Sequence, residues 1–533
     1  MPKPAKPPRP ANTVATPSAA AAPSPSASDA SAAASAATST APASTPRPEP
    51  VAAAAEESVR IGNNLFTATF SNRGGVLTSF TLANYTDEQK KPLDLVRALP
   101  PELPRPLAVD FGREAALTKT VSNALFVVER PSERTVRLRF ADAAVSVEKE
   151  IRISPDSYLF DVKVTVVGPA YDVLVGPGLR NLTDAERASR YVMPASAVLA
   201  TTDGLQLIRG DKTEKAKDKS WTLPAKGWAG LEDNYFLEVL IPSQPATARL
   251  HTYTMTRPDG KPTTELATGI SGDRAFEASA FFGPKDVSVL ESYGFGLERT
   301  VDFGWYGILA RPLLWLMKKS YAIVPNWGVA ILVVTFLIRL LLFPLTAKSY
   351  TSMKKMQKLA PKMNAIRDKY KKAKTDAAQR QKMNTELMAL YQAEGYNPMS
   401  GCLPVLLQLP VLVAFYNVLS KTIELRHAPF VLWIKDLSAI DHTYVLVILM
   451  IVSMYLQQAM TPSTLDPTQK KIFMFMPVLW GFFLKDMPSG LVLYWLFSNL
   501  LTIVQQLVMN RIVKEDDPAP PAQKAKALKQ ARA

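Results

Sequence analysis

The sequence predicts an all-β sandwich domain carried outside a membrane by an α-helical polytopic core of five transmembrane helices. Three observations predict it. Between 58 and about 300, apolar residues recur at every second position; beyond Trp327 they gather into runs long enough to cross a bilayer; and the densest cluster of Lys and Arg falls between the first two of those runs. A chain of 533 residues has room for more than one folding unit, and its near-zero mean hydropathy averages three unlike segments.

Residues 1–57 are nearly all Ala, Pro, Ser and Thr, too poor in large apolar side chains to offset chain entropy. They read as a disordered linker with neither a signal peptide nor a membrane span. In 58–300, Val136, Leu138 and Phe140 alternate with Arg137 and Arg139, and Tyr158, Phe160, Val162, Val164 and Val166 alternate with largely polar neighbours, so these strands each have one wet face. Turn signals at 72–75 and at Pro155 and Asp156 break up the runs, which favours one antiparallel β-sandwich. A carbohydrate-processing enzyme could share this pattern, but no tight carboxylate pair or other catalytic spacing stands out. Cys402 is the only cysteine, so no internal disulfide supports the domain.

Residues 303–321 are apolar but carry Arg311, Lys318 and Lys319, which fits an interfacial helix better than a span. Spans are expected at 327–346, 402–425, 443–460 and 488–510. A short one at 472–486 would cross if its flanking lysines snorkel or the bilayer thins. The segment 347–396, which includes Lys348, Lys354, Lys355, Lys358, Lys362 and Arg367, faces the cytoplasm by the positive-inside rule. Five spans then put the β domain outside, which in a bacterium is the periplasm, and the basic tail 511–533 inside. The net charge of +15 is accordingly a topology signal rather than a DNA footprint, because its Lys and Arg flank apolar runs instead of interleaving with stacking aromatics. The tail is either part of that signal or a contact for ribosomal RNA. Met353, Met356, Leu359, Met363, Ile366 and Tyr370, then Met383, Leu387, Leu390 and Tyr391, recur at helical spacing, which predicts an antiparallel hairpin in 347–396. Its methionines are either adaptable core or a face that grips varied apolar partners.

Arg339 stands inside the first span, twelve residues from its start and seven from its end. Charge at a helix centre costs anywhere from roughly 2.5 to 17 kcal/mol, so this side chain should face a polar hollow rather than lipid. Snorkelling is awkward over about 10 Å of helix, and the nearby acids, Glu424 and Asp486, belong to the opposite surface. Thr335, Gln408, Asn417, Gln457, Gln458, Asn499, Thr502, Gln505 and Gln506 either tie helix to helix one by one or wall a shared wet cavity with Arg339. Pro344 should bend the helix just past the arginine. Only three histidines, no phosphate-cradling glycine loop and no metal-ligand spacing around Cys402 leave no basis for catalysis, a cofactor or a metal site. A solute transporter and an envelope scaffold are the rival classes; no internal repeat of the transporter kind is visible.

Several stretches resemble the bacterial YidC/Oxa/Alb insertase family: NWGVAILVVTFLIRLLLFPLTAKSYTSMKKM at 326–356, NPMSGCLPVLLQLPVLVAFYNVL at 397–419, FMPVLWGFF followed by PSGLVLYWLFSNLLTIVQQ to Gln506, SNRGGVLTSF at 71–80, KGWAGLEDNYF at 226–236, and GFGLERTVDFGWYGILARPLLWLM. The resemblance covers nearly everything after the linker. It implies a periplasmic β-supersandwich, a five-helix core and a groove open to cytoplasm and lipid. Arg339 would be the groove arginine, Thr335 its neighbour and Tyr494 a contact for client proteins. The implied activity is non-enzymatic: membrane protein insertion and folding in the bacterial inner membrane, alone or with the Sec translocon. The implied partners are nascent membrane proteins, the ribosome, the Sec translocon and the lipid bilayer. Gram-negative members carry a further N-terminal span ahead of such a linker, so a span ahead of Met1 is expected.

Overall fold

In the computed structural model the described residues are 50–512, apart from 88, 184–185, 187–191, 210–211, 217–218, 257–259, 261, 371–375, 395–402 and 462–466. Most of the expected linker, the tail from residue 513 and Cys402 lie outside them. The last linker residues differ from expectation, since they join the β domain through the backbone. Val51 bridges Ala141, Ala53 N–H donates to Leu125 O at 2.8 Å, and Glu57 N–H donates to Asn72 Oδ1 at 2.9 Å. Apolar content does not report such pairing, because the partner is the main chain itself.

Among the described residues three antiparallel sheets build this domain. The largest runs Gly204–Ile208, Ser196–Thr201, Trp228–Glu232, Phe236–Pro242, Ala275–Pro284, Leu159–Val167, Ser146–Ile153, Thr135–Ala141, Val127–Ser132. A five-stranded sheet runs Ser220–Leu223, Ala246–Thr256, Pro262–Gly272, Tyr171–Val175, Val109–Asp110, and a four-stranded one holds Ser58–Gly62, Phe66–Ser71, Val76–Thr86 and Pro92–Asp94. Phe160, Val162, Val164 and Val166 are all buried, as are Val136, Leu138 and Phe140, which is what alternation on a one-sided sheet requires. Aromatic rings join the small sheet to the large one: Phe66 stacks on Phe80 at 4.2 Å, and Phe80 lies 5.8 Å from Phe160 and 5.5 Å from Phe282. The turn at 72–75 needs both its glycines, with φ of 69° at Gly74 and 57° at Gly75. Their carbonyls accept hydrogen bonds from the buried Lys149 Nζ.

On the five-stranded sheet His251 is held between two carboxylates, Asp110 at 3.3 Å from Nδ1 and Asp172 at 3.2 Å from Nε2, with Arg249 also bound to Asp172 at 2.8 Å. Burial disfavours the charged ring, and the two carboxylates outweigh burial, pushing the His251 pKa up to about 9. A raised folded-state pKa stabilises fully below the ordinary value near 6.5 and loses that contribution as pH climbs through about 9. Thermal unfolding of the full chain in detergent should therefore weaken between those limits, by roughly 3 kcal/mol. In His251→Gln this decline is expected to vanish; an identical pH profile would dismiss the pair of carboxylates as its source.

Eleven α-helices occur among the described residues: α1 (Ala115–Asn123), α2 (Lys212–Ala216), α3 (Val287–Tyr293), α4 (Gly307–Ile323), α5 (Trp327–Lys358), α6 (Ala360–Lys369), α7 (Ala377–Ala393), α8 (Leu403–Lys421), α9 (Val445–Met460), α10 (Pro467–Leu484) and α11 (Ser489–Ile512). Asn326 caps α5, its Oδ1 accepting from Val329 N–H at 3.1 Å. The expected span at 327–346 is part of a longer rod, because α5 continues through Pro344 into the basic segment for twelve more residues. The short span at 472–486 likewise starts earlier, at Pro467, a residue suited to the first turn. By length and composition α5 and α11 can cross a membrane, while the apolar parts of α8, α9 and α10 are shorter.

Buried charge joins the sheets to the helices. Lys318 of α4 pairs with Asp286, the cap of α3, at 3.1 Å and with Glu424 just after α8 at 2.6 Å. Arg426 donates to Thr86 O at 2.9 Å and lies 3.8 Å from Glu186. Glu186 also binds Arg180 at 2.8 Å, and the Arg180 guanidinium meets Asp233 at 2.6 Å.

Candidate functional site: a polar hollow among apolar helices

Arg339 projects from α5 toward α8 and α11. Its Nε donates to Ser498 Oγ at 3.1 Å and its Nη2 donates to Gln408 Oε1 at 3.1 Å and to the same serine hydroxyl. Gln408 Nε2 in turn donates to Ser498 Oγ at 3.2 Å. Among the described residues its partners are thus a hydroxyl and an amide, neither charged. They accept from Nε and Nη2 and, being neutral, leave the full positive charge uncompensated.

Beside this cluster lies a hollow of about 130 Å³. Arg339 and Gln408 form one end, and Gln457, Thr502, Gln505 and Gln506 continue the polar lining. Thr346, Ser349, Tyr350 and Met353 on the far half of α5 extend it toward the hairpin. Gln505 Nε2 donates to Thr346 Oγ1 at 2.5 Å, Gln506 Nε2 to Thr461 Oγ1 at 2.9 Å, and Tyr350 Oη to Asn510 Oδ1 at 2.8 Å. These bonds fix α11 against α5 and the end of α9. A hollow of this size lined by amides and hydroxyls has room for roughly four waters and keeps polar groups satisfied where acyl chains could not.

The residues singled out from sequence divide accordingly. Arg339, Gln408, Thr502 and Gln505 share the hollow. Thr335 does not line it: its buried hydroxyl bonds Ile331 O, one turn back on its own helix, at 2.6 Å. Asn417 similarly returns to Val413 O at 3.0 Å. Asn499 is helix-to-helix glue, donating to Ser453 Oγ of α9 at 3.1 Å. Tyr494 is buried and stacks on Phe415 with ring centroids 4.3 Å apart, so in this conformation its ring offers no open face to a client. Met353 and Met356 belong to α5 rather than to the hairpin, Met353 lining the hollow. Met363 is buried in the hairpin, where Tyr391 Oη donates to its sulfur at 3.7 Å, and Met383 is half-buried on α7. Ion pairs Lys362–Glu394 at 2.6 Å and Lys369–Glu386 at 3.0 Å tie α6 to α7 and its end.

Sequence reasoning missed Ser498. Its signal was a spacing: Ser498, Thr502, Gln505 and Gln506 fall at i, i+4, i+7 and i+8, a polar stripe along one face of an apolar helix.

Comparison with known proteins bears on the whole chain. The family described as "YidC periplasmic domain" matches residues 58–316, and that described as "60Kd inner membrane protein" matches residues 319–516. "Membrane protein insertase YidC" from Syntrophus aciditrophicus (strain SB) is 36% identical over 485 residues, 86% of this chain and 85% of that protein. The protein of the same name from Geobacter metallireducens is 37% identical over 487 residues, 86% of this chain and 87% of its own length. Among solved structures, "Active YidC insertase crystal structure with the first transmembrane domain resolved" is 19% identical with a TM-score of 0.37, covering 86% of this chain and 94% of that one. With a β-sandwich domain ahead of a helical core, and relatives of this identity along most of its length, the chain belongs to the YidC family of membrane protein insertases.

Proposed function

We propose that the helical core inserts nascent membrane proteins through the hollow beside Arg339, with α5, α8, α9, α10 and α11 as five spans, the β domain periplasmic and the hairpin α6–α7 and tail cytoplasmic. The ribosome and the Sec translocon are its partners on this reading. The observation that supports it is the guanidinium hydrogen-bonded to the neutral side chains of Ser498 and Gln408, next to an amide-lined hollow. A client's short acidic segment is attracted to this uncompensated charge, which acts over a longer range in low-dielectric surroundings than in water. The client's apolar helix meanwhile leaves sideways into lipid, and the hydrophobic transfer supplies the direction. Binding stays transient because no fixed partner holds the segment.

In cells depleted of the native protein, Arg339→Ala should lower insertion of clients with acidic outer segments about tenfold, the size of one charge-assisted hydrogen bond. Clients lacking such acids should be affected little. Normal insertion with Ala, Glu and Lys alike at this position would remove the arginine from the mechanism.

A further inference from the structure

The loop between α8 and α9 ends in an apolar tip. Phe430 N–H donates to Ile434 O at 3.0 Å, Ile434 N–H to Val431 O at 3.1 Å and Leu437 N–H to Ala428 O at 2.9 Å, so the tip is a closed turn rather than a loose strand. At its apex Val431 is 48% exposed and Leu432 83%. Leu432 also has a φ of 55°, the left-handed region that a bulky side chain rarely adopts. A leucine strained in its backbone and wetted on its side chain is unfavourable twice over in water. Contact with acyl chains removes the second penalty. Lys435, exposed three residues on, supplies a cation that lipid phosphates can pair with.

The tip adjoins the apolar belt of the helices. Phe430 packs over the first turn of α5, where an added Cβ on Gly328 would overlap its ring, and Asn326 Nδ2 donates to Phe430 O at 3.1 Å. Exposed Val333 and Phe336 follow on α5, and exposed Tyr444, Val445 and Ile448 open α9. We infer that Val431 and Leu432 form a lipid anchor that dips into the outer leaflet and, through Phe430, holds the helix bearing Arg339 at a set depth. The inference rests on the reading that this loop joins two spans at the outer surface.

The test uses the full chain with Cys402→Ser, in phosphatidylcholine–phosphatidylglycerol vesicles, carrying an environment-sensitive fluorophore on Leu432→Cys or, separately, Val431→Cys. Asp203→Cys in an exposed β turn serves as the water reference and Val504→Cys on the exposed side of α11 as the bilayer reference. The expected result is emission blue-shifted from the Asp203 label at both tip positions, with strong quenching by nitroxides on shallow acyl carbons. Quenching at Val504 but none at either tip position would overturn the anchor and leave the spanning reading intact. A blue shift insensitive to lipid-borne quenchers would show protein covering the tip and also overturn it. Absence of quenching at all three positions would overturn the spanning reading itself.

Discussion

Lys149→Met should destabilise the β domain by roughly 3 to 5 kcal/mol, the range for removing one partner of a buried polar cluster. Lys149 is fully buried in the strand Ser146–Ile153, and its Nζ donates to Gly74 O at 2.8 Å, Gly75 O at 2.9 Å and Leu107 O at 2.9 Å. Burial pulls the ammonium pKa down to about 7. The three carbonyls act the other way: a neutral amine has two hydrogens, so only the protonated group satisfies all three acceptors. Methionine preserves the length of the side chain and supplies no donor, leaving three buried carbonyls unpaired. A large drop in the midpoint of thermal unfolding, followed on the full chain in detergent, is the expected result. An unchanged midpoint would mean that the turn at Gly74 and Gly75 supports itself.

Arg180→Met should cost a similar amount, roughly 3 to 5 kcal/mol, for a different reason. The Arg180 side chain is only 1% exposed and neutralises Asp233, 2% exposed, together with Glu186. Burial opposes its charge, but the two carboxylates outweigh burial and keep it protonated. Without it, two largely desolvated carboxylates lose their closest cation, Arg426 standing off at 3.8 Å from Glu186. Asp233 also caps the strand start by accepting from Tyr235 N–H at 2.7 Å and Phe236 N–H at 2.8 Å, so it cannot turn away to find water. Limited proteolysis should then release the β domain from the helices at a lower temperature than in the native chain. Recovery of stability in the double change Arg180→Met with Asp233→Leu would assign the loss to the stranded charge, even though that change also removes the cap on Tyr235 and Phe236 N–H.

The β domain was legible because a sheet with one buried face writes its period directly into the residues, as in 158–166. Helix ends in the core were less so. An apolar run stops where lipid stops, whereas the hydrogen-bond ladder of α5 needs no lipid and passes on through Lys348 to Lys358. Arg339 stood out because a charge inside an apolar run has few tolerable surroundings. Its companions were legible only in part: Gln408, Thr502 and Gln505 stood out as polar residues in apolar runs, but polarity alone does not tell which such residue faces a cavity and which bonds its own helix. Thr335 and Asn417 could therefore turn back on their own helices, and Asn499 toward α9, while Ser498, the quietest of the polar residues, received the guanidinium.

The thirty-two residues of α5 make a shaft about 48 Å long at 1.5 Å per residue, against a hydrocarbon layer about 30 Å thick. A shaft of that length exceeds such a layer by about 18 Å, the length of the turns that follow Thr346 and lead into the hairpin. The far half of α5 is tied to α11 through Gln505 with Thr346 and Tyr350 with Asn510, so the hairpin is carried on two helices rather than on one.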